Sequence, residues 1–138
     1  ASNGTFTAVW NVNHIGRFSI RAVVASSTEA QSAATTPSLT ITAYRPSLAS
    51  WYGPTPHANH VACGGLLTTH TLGVANKTLK CGELVAFYYQ GRTITVPVID
   101  RGPYIRGRDW DLTAAAAKAL GLTAAGVAQV GAVSLPTR

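Results

Sequence analysis

The sequence predicts a mainly β chain: a small barrel carrying one short helix, preceded by an incomplete antiparallel β segment. Three observations predict it. Apolar and polar residues alternate with period two along several runs, the pattern of a strand with one buried face. Gly-rich turns separate those runs. A single stretch, "TAAAAKALG", carries both a start and a stop signal for a helix. The 138 residues are 46% hydrophobic and only 12% charged, with three Trp, five Tyr and three Phe, which is enough apolar surface for a packed core.

The first element is the run "TFTAVW", where Phe6, Ala8 and Trp10 share one face and Thr5, Thr7 and Val9 the other. In "RFSIRAVV", Phe18, Ile20, Ala22 and Val24 alternate with Arg17, Ser19 and Arg21. The Asn and Gly of "NVNHIG" suit a hairpin turn between these two strands. A third strand, "SLTITAY", has Leu39, Ile41 and Ala43 in phase after a polar stretch from Ala25 to Thr36. Residues 1–44 therefore form a first unit, and these strands resemble the last strands of a bacterial immunoglobulin-like repeat. Three strands leave an apolar face and open edges. The unit is expected to pack against a partner sheet, supplied by a longer precursor, by the second unit or by another chain through self-association.

Pro46, in "YRPSLAS", is expected to interrupt the ladder and mark the boundary to a second unit, residues 45–138. There "LASWYGP" reads as a strand ending at Gly53-Pro54, followed by the loop "TPHANHVACGG". "LVAFYYQGRTITVPVID" is a hairpin turning at Gln90-Gly91. The helix has Thr113 as N-cap and Gly121 just past its end, and "GVAQVGAVSL" closes the unit as a last strand.

The net charge is +6 and the isoelectric point about 9.8, a balance that favours anionic polymers such as acidic cell-wall glycans. Nucleic acid is not expected as a partner, because there is no basic recognition helix and no zinc-ligand spacing. No apolar run of about 18 residues is present, so no membrane span is expected. The sequence contains no Met, and the chain is expected to be processed from a longer precursor. Its Thr-rich, weakly charged composition suits an extracellular, secreted location. Cys63 and Cys81, 18 positions apart, fit one disulfide, given export. His57, His60 and His70 beside Cys63 do not make a zinc site once that thiol is consumed. No metal and no cofactor are expected. Asn3 and Asn76 open glycosylation sequons, meaningful only in a host that uses them.

The segments "ASWYG", "LGVANKTLKCG" and "VPVIDRGPYIRGRDWDLTAAAAKALG" resemble the rare lipoprotein A-like double-psi β-barrel of septal lytic transglycosylases and, more distantly, of expansins. The resemblance runs from Ser47 to Leu135. It implies a six-stranded barrel with interlocked psi loops, export, and a groove for peptidoglycan or a related glycan.

Read on their own, Ile94, Val96 and Val98 occupy one face of their strand, and alternation puts Asp100 in the same row. A carboxyl where an apolar row meets the barrel rim suits a general acid. It equally suits a cap for the "RGPY" turn. Asp111, two positions before the helix, could favour its positive end; the expansin comparison implies a groove position for Asp111 and a nearby groove hydroxyl at Ser50. Asp109 reads as a solvated loop charge. Tyr104 and Trp110, like Trp51 and Tyr52, are either sugar-stacking platforms or barrel plugs. Arg101, Arg106 and Arg108 offer contacts to an anionic wall polymer.

The family's lytic members carry a Glu where this chain has Gly65 in "ACGG", and a His where it has Asn76 in "ANKTL". Glycoside hydrolysis with a water nucleophile normally takes two carboxyls, whereas a lytic transglycosylase uses the sugar's own hydroxyl and needs less. The expected function is therefore glycan binding with weak or absent lytic cleavage. The alternatives are an active lytic transglycosylase with Asp100 as acid/base, and an assembly protein joined through the first unit. A non-hydrolytic, expansin-like wall-loosening role lies between binding and cleavage.

Overall fold

The computed structural model describes residues 5–23 and 37–136. The chain divides into two compact units, Ala1–Ala43 and Tyr44–Arg138.

In the first unit, β1 (Gly16–Ile20) pairs antiparallel with β2 (Leu39–Ala43), with Phe18 opposite Ile41. Half-buried Phe18 and Ile20 alternate with exposed Arg17 and Ser19, as period two requires. The expected first strand is absent: residues 5–10 are not in a strand, and Phe6 and Val9 are 74% and 87% exposed. An alternating run holds an extended conformation only when a ladder partner takes its backbone groups. Trp10 instead meets the edge of the Phe18 ring, with centroids 5.0 Å apart. β1 also ends at Ile20 and does not run on through Val23. Val24, the Ala25–Thr36 stretch and Asn3 lie outside the described residues.

The second unit contains β3 (Arg45–Tyr52), β4 (Val74–Ala75), β5 (Leu84–Tyr89), β6 (Arg92–Asp100), β7 (Trp110–Thr113), α1 (Ala114–Leu120) and β8 (Ala128–Leu135). Its six strands close into a barrel in the order β3-β7-β4-β6-β5-β8. Two pairs are parallel, β3 with β7 and β4 with β6, and the antiparallel β4–β7 pair links them. This is the double-psi arrangement.

Pro46 does not break the ladder; it sits inside β3, opposite Gly131 of β8. The strand tolerates it because β7 pairs with β3 only from Ala49 onward, so no neighbour there asks for the missing N–H. At the β5–β6 turn Gln90 and Gly91 have φ of 46° and 82°, the two left-handed residues of a type I′ hairpin. α1 begins where the Thr113 hydroxyl accepts the Ala116 N–H and ends at left-handed Gly121. β7 was hidden in the sequence, because its four residues sit between a charged loop and a helix cap. Phe87, Leu112, Leu120, Leu122, Val74, Val85 and Val98 are fully buried and fill the interior.

Candidate functional site

Strand register builds the site. Ser50 of β3 pairs with Asp111 of β7, Asp111 with Ala75 of β4, and Ala75 with Asp100 of β6. Four consecutive strands thus place Ser50, Asp111, Ala75 and Asp100 in one row at one end of the barrel. The two Asp backbones stand two inter-strand spacings apart, about 10 Å, with the buried methyl-bearing Ala75 between them.

Asp100 ends β6 and is half-buried, with both carboxyl oxygens engaged. Oδ1 accepts the backbone N–H of Ala62 at 2.8 Å and of Arg101 at 2.9 Å, and Oδ2 accepts the Tyr52 hydroxyl at 3.0 Å. The carboxyl therefore caps its own turn, as one of the two sequence readings held, and also ties the Ala62 loop to the barrel. Tyr52 reaches from β3 across the row to do this. Burial, then the Asp100 charge and hydrogen bond, push its phenol well above the ordinary value, so Tyr52 remains a donor at neutral pH.

Asp111 accepts the Ser50 hydroxyl at 3.0 Å, and Arg108 Nη1 donates to the same Ser50 oxygen at 3.4 Å. Burial raises the Asp111 carboxyl above its usual range, and the Asp100 charge adds to this; the Ser50 hydrogen bond and the Arg108 charge oppose it. At Asp111 burial outweighs the hydrogen bond and the cation that oppose it.

The remaining candidates separate by contact. Arg101 turns away from the carboxyl: Nη1 donates to the Asn76 carbonyl at 3.2 Å and Nη2 lies 3.3 Å from Cys81 Sγ. Cys63 and Cys81 form a disulfide, which holds the loop bearing Ala62 while Cys63 N–H bonds the Ile99 carbonyl at 3.0 Å. Tyr104 is 80% exposed at the rim, and Arg106 is also exposed. Trp110 is half-buried, its ring perpendicular to Phe87 with centroids 5.3 Å apart, and among the described residues its buried Nε1 has no partner. Trp51 leaves β3 on the face opposite Ser50 and Tyr52, and its indole N–H donates to the Thr123 carbonyl after α1. Asp109 is exposed, and its backbone carbonyl accepts the Asn76 amide.

Asn76 is engaged at both ends of its side-chain amide. Its Nδ2 donates to Asp109 at 3.3 Å, and its Oδ1 accepts the N–H groups of Thr78 and Leu79 at 3.0 and 2.9 Å. It clamps two loops together. Gly65 has φ of 102° with nothing within 4 Å of where a Cβ would stand: space exists for a side chain, but the backbone conformation favours glycine. His57, His60 and His70 are exposed, and among the described residues no group of three or more His, Cys, Asp or Glu is placed to hold a metal ion. Sequence reading missed the Ala62 N–H as a partner of Asp100; the Cys63–Cys81 spacing was the available clue, since it brings that loop to β6.

Known proteins share this architecture. A protein of Aquifex aeolicus named a probable endolytic peptidoglycan transglycosylase RlpA is 44% identical over 81 residues, 57% of this chain and 36% of that protein. The chain thus spans about a third of the length of this curated relative. The Streptomyces papain inhibitor superposes with a TM-score of 0.51 at 27% identity, over 64% of this chain and 93% of the inhibitor. A Clavibacter michiganensis expansin mutant in complex with cellohexaose gives a TM-score of 0.53 at 20% identity, covering 67% of this chain and 50% of that one, a likeness of fold. The model of the family described as lytic transglycolase matches residues 46–132, the barrel and its rim of carboxyls, and the chain belongs to that family.

Proposed function

We propose that this chain is an exported, bacterial cell-wall-associated protein that binds peptidoglycan or a related glycan along the Ser50–Asp111–Ala75–Asp100 row, with weak or absent lytic cleavage. The observation that carries the reading is the state of the two replaced positions. Gly65 brings no side chain, and every hydrogen-bonding arm of Asn76 that the structure engages serves loop structure. What remains is a rim suited to holding a sugar. Asp100 and Asp111 offer lone pairs to sugar hydroxyls, Tyr104 offers an exposed ring face, and Arg106 and Arg108 offer cations to acidic groups of the wall.

A second reading, lytic cleavage with Asp100 as acid/base, is favoured by Asp111. The half-buried Asp111 carboxyl stands two strands from Asp100. In this reading the sugar's own hydroxyl attacks, Asp100 passes a proton to the leaving oxygen and takes one from that hydroxyl, and no water-activating partner is needed.

One experiment separates them. The protein is incubated with purified peptidoglycan, its retention on the insoluble wall is followed as salt rises, and soluble products are analysed by mass spectrometry. The expected result is retention at low salt that falls with added salt, and anhydro-muropeptides no more abundant than with Asp100→Asn. Anhydro products that vanish in Asp100→Asn would establish the second reading. Absence of retention at low salt defeats wall binding altogether.

A further inference from the structure

The outer face of the barrel carries a second concavity, of about 350 Å3, lined by Tyr44, Pro46, Tyr88, Gln90, Gln129 and Gly131 among others. That volume lies at the small end of ligand pockets, roughly 300–1,000 Å3. It is formed by the starts of β3 and β8 and by the β5–β6 turn, whereas Asp100 lies at the other end of β6. The strand between them spans up to about 26 Å.

Register explains the hollow. Gly131 of β8 pairs with Pro46 on one side and Tyr88 on the other, so a residue without a side chain stands between two large ones. The glycine is required there: a Cβ at 131 would lie 2.8 Å from Tyr44 Cβ and 3.0 Å from its Cγ. Tyr44 therefore lies close over β8 and meets Tyr88 with ring centroids 5.8 Å apart and planes inclined by 38°. Two aromatic faces open as a shallow V above a glycine floor.

Two amides edge this floor. Gln129 is two residues from Gly131 on the same exposed face. Gln90 sits beside the hollow at φ of 46°, the one non-glycine residue at positive φ among the described residues. Its side-chain amide can both donate and accept hydrogen bonds. Among the described residues no charged side chain lines the hollow. Phosphate and acidic polymers require cations, so the chemistry selects a neutral ligand with one apolar face and a hydrogen-bonding edge. A pyranose ring has that character: its C–H face covers an aromatic ring, and its hydroxyl or acetamido groups meet amide donors and acceptors.

We propose that this hollow is a second carbohydrate site, for a neutral hexose or N-acetylhexosamine unit, separate from the carboxyl row. It does not depend on what the carboxyl row does. The uniformly 15N-labelled full chain is titrated with the tetramer of N-acetylglucosamine and, in parallel, with cellotetraose, and amide shifts are read residue by residue. The expected result is saturable shifts at Tyr88, Gln90, Gln129 and Gly131 with at least one of the two sugars. Affinity at those amides falls about ten-fold in Tyr88→Ala. Gln129→Ala, on an exposed position, weakens it as well and serves if Tyr88→Ala perturbs the fold. The proposal is overturned if those amides stay still with both sugars while Ala62 and Arg101 shift or nothing shifts. It is equally overturned if they move with protein concentration in the absence of sugar, which would make a second copy the occupant.

Discussion

Asp100 and Asp111 are the same residue type on strands separated by β4, yet their partners give them different characters. Asp100 faces two backbone N–H groups and a phenol, and Asp111 faces a hydroxyl, with burial raising its carboxyl. Tyr52→Phe removes one donor from Asp100, and it is expected to cost about 1 kcal/mol of stability in urea unfolding and to lower the salt at which wall retention is lost. Asp111 gives a pH signature. Its carboxyl is raised in the folded chain, so the folded state binds the proton more tightly than the unfolded state, and stability falls as pH rises from the ordinary carboxyl value through the raised one. Denaturant midpoints measured from pH 3 to 7 are expected to show that fall in the wild type, and Asp111→Asn is expected to flatten it.

Two short pieces of chain, the Ala62 loop and β7, support the site alongside the long strands. The Cys63–Cys81 disulfide fastens the first of these, closing a separation of 18 residues, and a loop of this size is worth about 3 kcal/mol in the chain-entropy account. Because the fastened loop also delivers the Ala62 N–H to Asp100, opening the disulfide has a second effect. Cys63→Ser/Cys81→Ser is expected to lose stability in urea and, in conditions where it is still folded, to lose wall retention as well. A disulfide that served stability alone would leave retention unchanged in that folded range. β7 holds Asp111 in register between β3 and β4 while its last residue, Thr113, caps α1 and takes the Gly73 N–H at 3.2 Å. One four-residue strand therefore sets both a rim carboxyl and the start of the helix.

For the whole molecule, the buried core cluster lies between Ala49 and Ala132, within the second unit. A chain beginning at Tyr44 is therefore expected to keep the near-UV circular dichroism of the barrel aromatics and to keep its retention on wall material. Loss of both would show that the first unit is needed for the barrel to fold.

Local chemistry was enough to determine the Gln90-Gly91 hairpin, the Thr113-to-Gly121 helix and the apolar row ending at Asp100. Turn dihedrals, capping and period-two alternation act between neighbours in the chain, and so they can be read from one sequence. "TFTAVW" misled because alternation reports which faces differ, and it does not report whether a partner strand exists. Trp51 and Trp110 were ambiguous for a related reason: an aromatic side chain reads the same whether it plugs a barrel or faces a sugar. Only the closed barrel decided that Trp110 packs on Phe87, that Ala62 donates to Asp100, and that Ser50, Asp111, Ala75 and Asp100 form one row. Those pairings join residues up to 61 positions apart, through parallel strands whose crossovers no local pattern encodes.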